Sequence, residues 1–164
     1  MNSRVKVVGH PIHPMLVVFP LGLLASSLVF DFIALATGNS DWAVSSFYMI
    51  AAGIVGGLAA AVFGLLDWLS VPSGTRARAL GAWHGLGNVV VVVLFAVAWA
   101  LRFNQRTDVA LAPLVLQILA VGMALVTGWL GGELVDRMGI GVDDGANPDA
   151  PSSLSGRRAS ERVQ

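Results

Sequence analysis

Four long apolar stretches, parted by short polar breaks, constrain this chain more than any other feature: about Met15 to Thr37, Ala43 to Leu69, Leu80 to Leu101 and Val109 to Leu134. Each reaches the ~20 residues that carry an α-helix across a ~30 Å hydrocarbon core. The valine run Val89 to Val93 would suit a strand in water. It lies inside an apolar segment without turn signals, and an open sheet edge cannot satisfy its backbone in lipid. Composition agrees: of 164 residues 55% are hydrophobic and 12% charged, against roughly 25% charged in an ordinary soluble domain, and the mean hydropathy is +0.74. The expected fold is all-α, an integral membrane four-helix antiparallel bundle with the lipid bilayer as its surroundings.

Ten basic residues balance ten acidic ones, so no charge excess draws the chain to nucleic acid. The absence of cysteine excludes disulfides, thiolate zinc sites, iron-sulfur clusters and cysteine nucleophiles. Trp42, Trp68, Trp83, Trp99 and Trp129 all fall near span ends, where an apolar ring can keep its N–H wet. When the breaks are assigned to alternate sides, one side receives Arg4, Lys6, Arg76, Arg78, Arg137, Arg157, Arg158 and Arg162, and the other only Arg102 and Arg106. This bias predicts that both termini are cytoplasmic. A cleaved signal peptide ending at Ala34-Leu35-Ala36 is the competing reading. The apolar run is longer than the usual 7–15 residues and holds Pro20 and Asp31, which favours an uncleaved first helix.

Three regions follow: a lead-in over 1–14, the membrane domain over 15–137, and a tail over 138–164 whose Gly, Asp, Pro and Ser content predicts disorder. Small residues at helical spacing, namely Gly53, Gly57, Ala61 and Gly64, then Gly81 with Gly85 and Gly128 with Gly132, predict close helix approach. Pro20 removes the amide that would bond to the Leu16 carbonyl, so a bend is expected about one turn into the first helix.

Polar side chains at membrane depth converge on the end predicted to be cytoplasmic: His10 and His13 before the first span, Asp67 closing the second, His84 opening the third with Asn88 one turn deeper, and Glu133 closing the fourth. Three chemistries are open to this set. Haem b can be held between helices with imidazoles as axial ligands and apolar walls around it, His84 being paired to His13 or His10. A divalent metal would use His13 and His84 with carboxylates. A proton or ion relay would use groups that titrate near neutrality. A structural reading stands beside them: each histidine of His10-Pro11-Ile12-His13-Pro14 precedes a proline, so the motif suits a helix entry cap, and Glu133 stands at i,i+4 to Arg137.

Asp31 stands apart, roughly 25 Å along the helix from Pro14, and is expected to be a hydrated carboxylate near the outer interface. The halves correspond faintly, a histidine introducing the first and third spans and an acidic residue closing the second and fourth. That suits a two-helix unit duplicated about an axis along the membrane normal.

These residues resemble a known group, the bacterial membrane proteins gathered as domain of unknown function 2231. The likeness covers most of Gly9 to Val142 and rests on Gly9-His10-Pro11-Ile12-His13-Pro14 with Phe19-Pro20, on Gly64-Leu65-Leu66-Asp67-Trp68, on His84 and Asn88, and on Gly131-Gly132-Glu133-Leu134-Val135 with Gly139-Ile140-Gly141-Val142. The resemblance implies the four-helix membrane fold and supplies no reaction. Similar sequences often carry histidine where this chain has Val18 and Met138; those losses weaken a many-histidine metal cluster more than a two-ligand haem.

No Ser/His/Asp arrangement, phosphate-binding loop or two-histidine zinc helix supports an enzyme. Haem binding in electron transfer is the leading expectation, with His10, His13, His84 and Asn88 at the cofactor and Asp67 and Glu133 in support. A redox partner or homo-oligomer would go with it. A non-catalytic membrane scaffold is the alternative.

Overall fold

A computed structural model describes Ser3 and residues 5–161; Arg4 and Arg162 of the charge tally lie outside them. Two short strands, β1 (Lys6–Val7) and β2 (His10–Pro11), form an antiparallel hairpin. Its two-residue turn puts Val8 at φ 51° and Gly9 at φ 85°, the mirror-image turn geometry that matches strand twist. Gly9 is needed twice over, since a Cβ there would also lie 2.7 Å from that of Ser153.

The hairpin leads into α1 (Ile12–Leu16), which breaks at Val17 before α2 (Val18–Thr37). The break falls one turn ahead of Pro20, where the missing amide leaves the Leu16 carbonyl without a helical partner. Three further long helices follow: α3 (Ser40–Ser70), α4 (Arg76–Leu101) and α5 (Leu111–Gly132), the last running on as a wider π-type turn through Arg137. Local chemistry sets the ends. Gly38 closes α2 in the left-handed region, Asn39 caps α3 by accepting from the Asp41 amide, and Thr75 caps α4 by accepting from the Arg78 amide.

The four spans, Ile12–Thr37, Ser40–Ser70, Arg76–Leu101 and Leu111–Arg137, are long and apolar enough to cross a membrane. They pack as two hairpins, α2 on α3 and α4 on α5, joined chiefly along α3 and α4. Leu24, Ile50, Val91, Phe95 and Ala120 form a core drawn from all four spans, while side chains such as Leu111 and Leu125 remain more than 70% exposed, as a lipid-facing surface requires.

Close approach occurs where small residues face bulk. A Cβ on Gly53 would sit 2.5 Å from Leu24, and one on Gly87 would sit 2.4 Å from Thr127. The expected stripe of Gly128 and Gly132 is not part of this packing, since a Cβ on either meets nothing within 4 Å; Gly131 takes that role beside His84. Nor do all five tryptophans serve as wet anchors. Trp83 and Trp129 are exposed, but the Trp99 ring stacks on Phe47 with its N–H buried.

Candidate functional site

His13 lies in the first turn of α1 and His84 two turns into α4, and the fold holds both rings in the same way. His13 Nδ1 is 2.8 Å from the Ala60 carbonyl of α3, and His84 Nδ1 is 2.8 Å from the Thr127 carbonyl of α5. A carbonyl only accepts, so Nδ1 carries the proton in each neutral ring and Nε2 presents a lone pair. Each ring lies against a glycine one turn beyond its carbonyl: a Cβ at Gly64 would be 2.8 Å from His13 Cε1, and one at Gly131 would be 3.1 Å from His84 Cε1. Asn88 Nδ2 stands 3.3 Å from His84 Nε2 while donating to the His84 carbonyl at 2.8 Å, and its Oδ1 accepts from Thr127 Oγ1 at 3.1 Å.

The other expected members are arranged differently. His10 is exposed on β2 with Nε2 3.4 Å from Ser153 Oγ, beside an open depression of about 310 Å³ lined in part by Pro11, Gly141 and Asp143. Asp67 Oδ1 accepts from Ser3 Oγ at 2.7 Å. Glu133 pairs with Arg76 across helices, at 3.4 Å, rather than along its own helix with Arg137. Among the described residues no group of three or more His, Asp or Glu side chains gathers as metal ligands.

The polypeptide after Arg137 returns to the hairpin, where Asp143 pairs with Lys6 and Ser153 Oγ donates to the Val8 carbonyl at 3.1 Å. Near its end the Arg157 guanidinium, hydrogen-bonded to the exposed Glu161 carboxylate at 2.8 Å, holds that carboxyl below its ordinary range.

Asp31 corrects the sequence reading most sharply. It is not a hydrated interfacial carboxylate: it is fully buried, with Oδ2 2.7 Å from Arg102 Nη1 and 2.7 Å from Gln117 Nε2. Arg102, assigned by sequence to a water-facing break, is 1% exposed and also donates to Ser46 Oγ at 3.1 Å and to the Ala43 carbonyl at 2.9 Å. Ser27 Oγ stands 3.4 Å from Gln117 Oε1. Gln117, Ser46 and Ser27 were missed altogether. A signal was available: His13 to Asp31 and His84 to Arg102 are both 18 residues, so the two charged groups stand at the same distance from a histidine in the first and third spans. Asp31 Oδ1, Arg102 Nε and Trp99 Nε1 are buried without a hydrogen-bond partner among the described residues.

Comparison with the curated proteins and with the solved structures finds no match in either. A family model described as a predicted membrane protein, DUF2231, matches residues 9–144, a stretch that takes in the His-Pro strand β2, all four spans, both histidines held on carbonyls and the buried ion pair. The chain belongs to this family of predicted membrane proteins, DUF2231.

Proposed function

We propose that the chain binds haem b between His13 and His84 and serves in electron transfer at the hairpin end of the bundle. The observation that carries this reading is the matched pair of Nδ1 contacts to main-chain carbonyls, 2.8 Å each, which fix ring orientation and leave both Nε2 lone pairs for iron. Haem supplies four equatorial nitrogens itself, so two imidazoles suffice. An ion that takes three or four protein ligands would need a group the described residues do not offer. With iron on His84 Nε2, Asn88 would give up its 3.3 Å contact to that nitrogen and keep its bond to the His84 carbonyl.

A relay through the bundle is the weaker reading. Between Asn88 and Thr127 at one end and Gln117 and Ser27 at the other stand the apolar core residues Leu24, Val91, Phe95 and Ala120. Placing the hairpin end in the cytoplasm of a bacterial inner membrane is supported by Lys6, Arg76, Arg78 and Arg137 at that end. At the opposite end Arg102 is neutralised internally, leaving Arg106.

The test is the absorption spectrum of detergent-purified protein made with adequate haem supply, oxidised and dithionite-reduced, with elemental analysis of the same sample. A Soret band that shifts on reduction, with iron near one per chain, is expected. Folded protein with a featureless spectrum after haem is added would overturn the reading, and bound zinc or manganese instead would move it to a metal site.

A further inference from the structure

The inward faces of the two hairpins coincide when the chain is laid over itself. The buried positions of α5, Pro113, Gln117, Ala120 and Thr127, each stand 67 residues after a buried position of α3: Ser46, Ile50, Gly53 and Ala60. Leu24, Ser27 and Asp31 of α2 are each followed 71 residues later by a buried residue at α4 or its end: Phe95, Ala98 and Arg102. The same offset of 71 relates His13 to His84, and that of 67 relates both their carbonyl partners and their packing glycines. The offsets differ because the stretch from Asp31 to Ser46 is four residues longer than that from Arg102 to Pro113. Hydropathy alone does not generate such agreement, since hydrogen-bond partners and close contacts recur along with burial.

We infer that the chain is one two-helix unit present twice, related by a two-fold axis along the membrane normal, and that Asp31 and Arg102 are a single position of that unit diverged to opposite charge. The surface each half offers is therefore specific for the other half. Two copies of the first half would bury two carboxylates face to face, and two copies of the second would bury two guanidinium groups, with no counter-ion in either case. The supporting groups have diverged in step. Gln117, which gives Asp31 its second donor, occupies the place of Ile50, and Ser46, which accepts from Arg102, occupies the place of Pro113. The symmetry belongs to the inward faces; α3 packs along α4 more extensively than α2 along α5. This inference holds whatever the histidines bind.

The full-length chain tests it by exchange across the axis. The charge reversal D31R/R102D restores opposite signs but leaves Gln117 beside an arginine and Ile50 beside an aspartate. Adding I50Q/Q117I moves the amide that donates to the carboxylate to its equivalent place as well. Thermal unfolding in detergent should show the four-residue exchange melting above the two-residue one, and a four-residue exchange that melts no higher overturns the equivalence. A second exchange avoids buried charge. L24F/F95L moves the core ring to its equivalent site with volume conserved, and should melt above both L24F and F95L. A double variant that does not exceed both single variants also overturns the proposal.

Discussion

Asp31 and Arg102 meet in the interior at 2.7 Å, with 0% and 1% of their side chains exposed, while Arg76 and Glu133 meet at 3.4 Å with 67% and 20% exposed. The same chemical pair thus appears in two dielectric settings, and their energetics diverge. Removing one member of a buried pair strands a charge, which costs about 3–5 kcal/mol, whereas an exposed pair contributes about 0–1 kcal/mol. Arg102→Ala is expected to destabilise by the larger amount and Arg76→Ala by the smaller, measured as unfolding free energy in mixed detergent. Replacing both charges, as Asp31→Leu with Arg102→Met, should recover most of the loss, because well-packed apolar residues replace a desolvated pair at little cost.

Gly64 and Gly131 leave room for the two imidazoles, but not equally. A methyl at Gly64 would stand 2.8 Å from His13 Cε1, inside any normal contact, and one at Gly131 would stand 3.1 Å from His84 Cε1. Overpacking of this kind costs about 1–3 kcal/mol and displaces the ring that is crowded. Gly64→Ala should therefore lower stability and haem retention more than Gly131→Ala does. Equal losses, or a reversed order, would show that the rings do not bear on these glycines.

The spans, the break before Pro20 and the two histidines were legible in the sequence because each has a local cause: an apolar run of membrane length, a missing amide, and His-Pro steps at a helix mouth. The buried ion pair was not, because its parts are 71 residues apart and each read alone has an ordinary explanation. Asp31 lies close enough to a helix end to be wet, and Arg102 follows the last apolar residue of its span as a loop cation does. Only the equal spacing of 18 residues from a histidine marked the two as equivalent. Gln117 had no mark at all, since one amide in an apolar helix carries no period. The partner of Glu133 was misread for the opposite reason: a local i,i+4 candidate was available, and tertiary packing supplied Arg76 instead.

Which end of the bundle faces the cytoplasm can be read by labelling, helped by a chain without cysteine. Asn104 is exposed in the turn after α4, and Asp149 is exposed in the segment that returns to the hairpin. With a membrane-impermeant maleimide applied to intact cells, Asn104→Cys should label directly and Asp149→Cys only after lysis. The reverse pattern would place the histidines and the basic residues outside.

The central claim is that His13 and His84 hold one iron together, and the most direct measurement is low-temperature electron paramagnetic resonance of the ferric protein with one haem added per chain. Two imidazole ligands predict a low-spin signal in the natural sequence and its conversion to a high-spin signal in both His13→Ala and His84→Ala. His10→Ala should leave the signal unchanged. A high-spin signal in the natural protein, or a low-spin signal that survives loss of either histidine, would contradict the account.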